Sequence, residues 1–239
     1  MKIGIVSAEP SGDLLGSKLL SVLEQKFDDI SLVGVGSGPL SNYGLSGDRA
    51  LLEIMGLVDP ILNYKKITNF RKKLIKDFIK EEIDVFIGID APDFNFEIHK
   101  QMQKKGIKTI HVVCPSVWAW RPGRIKHFKH VDYMLCLFPF ELEYCANVRK
   151  QAFCIGHPLI DEKEAYVNEF KENIICIMPG SRKSEIKNNL GVMIDGFNQF
   201  NVEENFKAVI PVYKKEDKYL IQHKIQDQEF ITCEHVKSA

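Results

Sequence analysis

Two short acidic stretches hold the side chains best suited to proton chemistry. In SAEPSGD, residues 7–13, Glu9 and Asp13 occupy the turn after an apolar run, and in GIDAPDFN, residues 88–95, Asp90 and Asp93 follow another. A carboxylate that ends an apolar strand can accept a proton from a substrate hydroxyl, so Asp90 reads as a general-base candidate, and Glu9 sits at the sheet edge where open α/β folds place their ligands. Pro92 fixes the turn behind Asp90. Asp93 has two readings, a helix N-cap ahead of FNFEIHKQ or a supporting catalytic carboxylate. Asp13 also has two, a charge that complements a helix N-terminus or a ligand contact. The D-x-x-D spacing is a weak metal pattern, and no metal site is expected.

A second kind of chemistry is carried by VVCPSVWAWRPGRIKHFKH. It holds both tryptophans of the chain, Trp118 and Trp120, followed by Arg121, Arg124, Lys126, His127, Lys129 and His130. One reading is a helix with a solvated basic face. The other is a loop for an anionic or sugar-bearing ligand, since aromatic faces pack on sugar rings and guanidinium forks match phosphate. In CIMPGSRKSEI, Gly180, Ser181 and Arg182 stand between an apolar run and a helical one. Backbone N–H groups, a hydroxyl and a guanidinium make that turn a phosphate cradle. The first turn, with two carboxylates, would repel a phosphate. It also lacks G-x-G-x-x-G, and SLVGVG ends without an acidic residue, so a nicotinamide cofactor is not expected.

These turns need a frame. Apolar runs alternate with helical-period segments: KIGIVS, GDLLGSKLLSVLEQ, SLVGVG, DVFIGI, FEIHKQMQKK, KTIHVVC, DYMLCLF, ELEYCANV and AFCIG. That alternation predicts an α/β fold with a doubly wound parallel sheet over residues 1–160. The charged segment 161–172 reads as a linker, and a second βα series occupies 173–239. A doubly wound domain usually takes about 100–150 residues, so the second series is expected to be incomplete.

The chain has Lys+Arg 32 against Asp+Glu 32, so overall charge does not suggest a nucleic-acid binder. No run approaches the roughly 18 apolar residues of a membrane span and no signal peptide is legible, so the expected location is cytoplasmic. Six cysteines, at 114, 136, 145, 154, 176 and 233, form no C-x-x-C and read as reduced, mostly buried thiols. The segment from Ile54 to Lys80 sets Ile61, Leu62, Ile67, Phe70, Leu74 and Ile75 among Lys65, Lys66, Arg71, Lys72 and Lys73. It is an amphipathic helix whose apolar stripe faces either the core or a membrane surface.

Taken in order, AEPSGD, IMGLVDPI, FIGIDAPDFN, PSVWAWR, IGHPL and MPGSRKSEI resemble the lipid-A-disaccharide synthase family over residues 1 to about 200. The resemblance implies a GT-B fold of two Rossmann-like domains and an inverting, metal-free and cofactor-free glycosyl transfer. The implied reaction joins UDP-2,3-diacylglucosamine to 2,3-diacylglucosamine 1-phosphate (lipid X), with release of UDP. It implies Asp90 as base with Glu9 and Asp93 assisting. Ser11, Asp13, Asn95, Ser116, Trp118, Trp120 and Arg121 would bind the acceptor, and Gly180, Ser181, Arg182 and Glu185 the UDP. Ile61, Leu62, Ile67, Phe70 and Leu74 would face lipid, on the cytoplasmic face of the inner membrane, and the resemblance allows a homodimer. In the family the nucleotide domain continues through a glycine- and serine-rich segment, so a chain ending at Ala239 is expected to lack part of the donor site and to be weakly active. The alternatives are another GT-B enzyme of UDP-sugars, such as an epimerase, and a fragment that binds lipid or membrane without chemistry.

Overall fold

The computed structural model describes residues 1–8, 10–45, 60–157, 173–180, 183–202, 206–212, 217–219, 221–222 and 230–233. Two compact units divide the chain, Met1–Lys163 and Glu164–Ala239. The whole segment read as a linker, 161–172, lies outside the described residues.

In the first unit the apolar runs become six parallel strands: β1 (Lys2–Ser7), β2 (Ser31–Val35), β3 (Val85–Ile89), β4 (Lys108–Val112), β5 (Tyr133–Cys136) and β6 (Gln151–Cys154). Their order in the sheet is β2-β1-β3-β4-β5-β6. The strand order therefore reverses between β1 and β3. Pairing of Ser7 with Ile89 brings the carboxyl ends of those two strands side by side. Open α/β sheets bind ligands at such a switch point.

Both faces of the sheet are covered, which is why the central strands β1 and β3 are buried almost throughout rather than at alternate positions. On one face Ile3, Ile5, Ile87 and Ile89 pack with Leu20 of α1 (Pro10–Glu24). On the other, Val6 and Phe86 pack with Leu74 and Phe78 of α2 (Pro60–Lys80) and with Phe94, Ile98 and Met102 of α3 (Pro92–Lys104). ELEYCANV forms no α-helix. Its first half is in a 3₁₀ turn, Pro139–Tyr144.

The expected lipid-facing stripe is corrected by this packing. Leu74 is 6% exposed and Phe78 is fully buried, while Ile67, Phe70 and Ile75 pack against the same cluster. Residues three and four apart on a helix share one face, and here the sheet occupies it. The side chains of Ile61 and Leu62 lie outside the described residues. The outward face of α2 carries Lys65, Lys66, Lys72, Lys73, Lys76 and Lys80, all exposed. No described helix is long and apolar enough to cross a membrane.

In the second unit β7 (Ile174–Cys176), β8 (Lys207–Pro211) and β9 (Phe230–Cys233) form a parallel sheet in that order. Ile186, Leu190 and Ile194 of α4 (Lys183–Phe200) pack with Ile177, Ala208 and Ile210. Cys154 and Cys176 are exposed, contrary to the reading of buried thiols, because β6 and β7 are edge strands of their sheets. Cys114, Cys136 and Cys145 are buried.

Gly34 lies opposite Ile5 in the β1–β2 pair. Its φ is +142°, and a β-carbon there would collide with the carbonyl oxygen of Ile5. Gly34→Ala should therefore destabilise the first unit by about 2–4 kcal/mol. Urea denaturation monitored by circular dichroism measures it, and an unchanged midpoint would contradict this account of β2.

Candidate active site

Asp90 follows β3 with φ +49°, and Ala91 follows with φ +41°. Two consecutive non-glycine residues in the left-handed region are uncommon and cost on the order of 1–3 kcal/mol each, so the surroundings must hold them. They do so from inside. The Asp90 N–H donates to the Val112 carbonyl at 2.9 Å. The Asn95 side-chain amide donates to the carbonyls of Asp90 at 2.8 Å and Ile89 at 3.3 Å. Pro92 starts α3, where its missing N–H costs nothing. The half-buried Asp90 is thereby presented at the carboxyl end of β3, beside the end of β1.

Asn95 was expected to touch the acceptor. At 0% exposure it cannot, and its bonds make it a positioning residue for the Asp90 turn. Gly88 is part of the same arrangement, since a β-carbon there would lie 3.0 Å from Asn95 Cγ.

Asp93 is not the N-cap, a place held by Ala91. Its exposed carboxylate accepts from Arg121 Nη1 at 2.8 Å, Arg124 Nε at 3.0 Å and Arg124 Nη2 at 2.6 Å. Arg71 also donates to its carbonyl at 3.2 Å. Asp93 thus ties α3 to the tryptophan segment. That segment is a loop into a 3₁₀ helix, Pro122–His130, and contains no α-helix.

Within the loop, the Ser116 carbonyl accepts from Trp120 N–H at 2.8 Å. The Arg121 guanidinium stands 5.1 Å over the Trp120 ring. Trp118 packs edge-on against Phe140 at 4.8 Å. Trp120 is 59% exposed and Trp118 37%. The loop therefore presents two aromatic faces and a guanidinium, which suits a sugar with an anionic group.

Asp13 is 2% exposed. Its carboxylate accepts from the Ser37 hydroxyl at 2.6 Å and the Ser37 N–H at 3.2 Å, tying α1 to the loop after β2. Ser11 is exposed. Glu9 lies outside the described residues.

A buried histidine pair lies next to the Asp90 turn, and the sequence reading passed over it. His99 Nε2 and His111 Nδ1 are 3.0 Å apart, and both residues are fully buried. A β-carbon on Gly88 would lie 2.8 Å from His99 Nε2. The available signal was His111 interrupting the apolar run KTIHVVC. Burial pushes the His111 pKa down to about 3. His99 is also well below its ordinary range, first through burial and then through the charge of His111.

In the second unit Gly180 has φ +124° and closes against Glu185 in the first turn of α4, where a β-carbon would lie 2.6 Å from Glu185 Oε2. Asn189 donates to the Pro179 carbonyl at 3.0 Å and pins the turn. A carboxylate against this helix N-terminus is favoured by the peptide dipoles, as an anionic ligand would be. Ser181 and Arg182 lie outside the described residues.

The family model described as "Lipid-A-disaccharide synthetase" matches residues 3–238. A lipid-A-disaccharide synthase of Idiomarina loihiensis is 40% identical over 198 residues, 77% of this chain and 52% of that protein. One of Francisella philomiragia is 36% identical over 230 residues, 90% of this chain and 60% of that protein. The chain thus spans between half and two thirds of the length of these curated relatives. Among solved structures, S. aureus MnaA with UDP has a TM-score of 0.67 at 13% identity, covering 99% of this chain and 69% of that one. The Methanocaldococcus jannaschii UDP-GlcNAc 2-epimerase with UDP-GlcNAc and UDP has a TM-score of 0.64 at 12% identity, covering 98% and 73%. At these identities the likeness is one of fold, the GT-B class of two Rossmann-like units.

The histidine pair makes stability depend on pH. Both imidazoles are held neutral in the fold, whereas the unfolded chain takes up protons below about 6.5. Their contribution is complete above that pH and is lost as pH falls toward 3. Between pH 7.5 and pH 5, His111 alone should lower the unfolding free energy by about 2 kcal/mol. Urea titrations at the two values measure the loss, and His111→Gln should flatten it. Equal pH dependence in both proteins would remove the pair as its source.

Proposed function

The chain belongs to the lipid-A-disaccharide synthetase family, and on that premise we propose that it takes part in transfer of a 2,3-diacylglucosamine unit from UDP to 2,3-diacylglucosamine 1-phosphate. One observation carries the reading: Asp90, followed by a strained and internally braced turn, stands at the switch point of a parallel sheet. In this reading the first unit holds the acceptor. Its 6-hydroxyl oxygen attacks the anomeric carbon as the bond to UDP breaks, the electron pair leaves with UDP, and the hydroxyl proton passes to the Asp90 carboxylate. Glu9 and Asp93 assist. Asp93 does so through Arg121 and Arg124, which set the tryptophan loop where the glucosamine ring would pack.

The second unit receives UDP. Gly180 and Glu185 shape the turn at the N-terminus of α4, and the Ser181 hydroxyl and the Arg182 guanidinium are the groups assigned to the departing charge. No metal or cofactor enters this scheme.

Both substrates carry acyl chains, so the reaction belongs at a membrane surface, the cytoplasmic face of the inner membrane. The buried apolar stripe of α2 is not the contact. Its exposed lysine row is the better candidate, because a lysine near an anionic bilayer contributes about 1 kcal/mol.

Two experiments test these readings. Asp90→Asn should lower disaccharide formation by roughly 10²-fold or more with the fold intact. An unchanged rate would remove Asp90 as base, and no product from the folded wild-type chain would leave these 239 residues without the activity. Exchange of Lys72, Lys73 and Lys76 for Glu should weaken sedimentation with anionic vesicles by roughly tenfold or more. Equal binding would clear this face of the role.

A further inference from the structure

Three cysteines that are far apart in sequence meet inside the first unit. Cys145 Sγ lies 3.7 Å from Cys136 Sγ and 4.0 Å from Cys114 Sγ. All three sulfurs fall within 4.8 Å of one another. Cys136 ends β5, Cys114 follows β4, and Cys145 follows the 3₁₀ turn Pro139–Tyr144.

The backbone turns Cys114 toward this cluster. Val112 packs on the face of the sheet that holds Ile87 and Ile89. A strand continued two residues further would put Cys114 on that face too. Val113 instead adopts φ +76°, and Cys114 packs on the opposite side with Met134, Cys136 and Cys145. A positive φ at a β-branched residue is a strained conformation that surroundings must hold. Here it adds the third sulfur to the group.

Buried thiols often serve as small hydrophobes. The distances here are those of packed thiols, and they also match a set of metal ligands. A zinc–sulfur bond of about 2.3 Å sets tetrahedral ligand sulfurs roughly 3.8 Å apart. The two shorter separations lie on either side of that value. Cys145, 6% exposed, is the member nearest solvent, and Cys114 and Cys136 are 2% and 0% exposed.

We propose that Cys114, Cys136 and Cys145 form a three-thiolate site for a thiophilic divalent ion of the Zn²⁺ type, with a water or other small donor as fourth ligand. Three metal–sulfur bonds form, and three thiol protons are released to solvent, leaving an anionic metal–thiolate centre. No redox change is involved. The site is separate from the transfer chemistry and bears on it through the tryptophan loop. Cys114 begins the CPSVWAWR segment, and Trp118 packs on Phe140 and Tyr144 of the turn that leads to Cys145. An ion would clamp both ends of that contact.

The test is a Co²⁺ titration of the reduced full chain, followed by absorption and by tryptophan fluorescence. One equivalent should give thiolate-to-cobalt charge-transfer bands that Zn²⁺ displaces. Cys145→Ser and Cys114→Ser should abolish the bands, and Cys176→Ser, in the second unit, should keep them. Should the serine variants fail to fold, alkylation of the wild type decides: Zn²⁺ should protect three thiols per chain. A folded wild type without the bands, or bands of equal strength in Cys145→Ser, overturns the site. A Cys136–Cys145 disulfide found by peptide mapping in a protein that takes up no metal does so too, and makes the pair a redox element instead.

Discussion

A parallel sheet delivers the carboxyl ends of all its strands to one edge, and the order of those strands decides which ends are neighbours. In the first unit the chain winds one way from β1 to β2 and the other way from β3 onward, so the ends of β1 and β3 are adjacent. Every other feature of the candidate site depends on that. The register that pairs Ser7 with Ile89 places the SAEPSGD and DAPDFN turns side by side, although about 80 residues separate them in the chain. The same constraint accounts for the covered faces of the sheet and the burial of the apolar stripe of α2.

The edge of the sheet is where the backbone is least comfortable. Asp90, Ala91 and Val113 have positive φ at the ends of β3 and β4, and Arg121 has φ +49° in the adjoining loop. Such conformations persist only where neighbours over-determine them. The neighbours here are the buried Asn95, which takes the inward-turned carbonyls of Ile89 and Asp90, and Asp93, which grips Arg121 and Arg124. One short helix start thus holds both the proposed base and the proposed sugar platform. The ion pairs are largely exposed and contribute little to global stability. Their effect is on the placement of the loop.

Charge follows the same division of labour. The first unit presents Asp90 at its switch point, and in the second unit Gly180 precedes the N-terminus of α4, an end favourable to negative charge. An acidic turn suits removal of a proton from an alcohol, and the helix N-terminus suits a departing diphosphate. Of the two acids in the first turn, Asp13 is buried and holds Ser37 instead of facing a ligand.

Local pattern alone determined a good deal. The apolar runs located the strands, because a strand buried on both faces needs no polar alternation. The helical-period segments between them made the sheet parallel. Asp90 stands out as a candidate because an ionisable residue at the end of such a run has few structural reasons to be there, and its role as base is a proposal. What depended on tertiary structure was partnership. Asp93 binds two arginines instead of capping a helix, Asn95 is buried beneath the turn instead of facing ligand, Leu74 faces the sheet instead of lipid, and three scattered cysteines share one cluster. Helical periodicity shows that a stripe exists and cannot say what covers it. Spacing along the chain shows which groups are near in sequence, and the strand order, set by the packing of the whole unit, decides which are near in space.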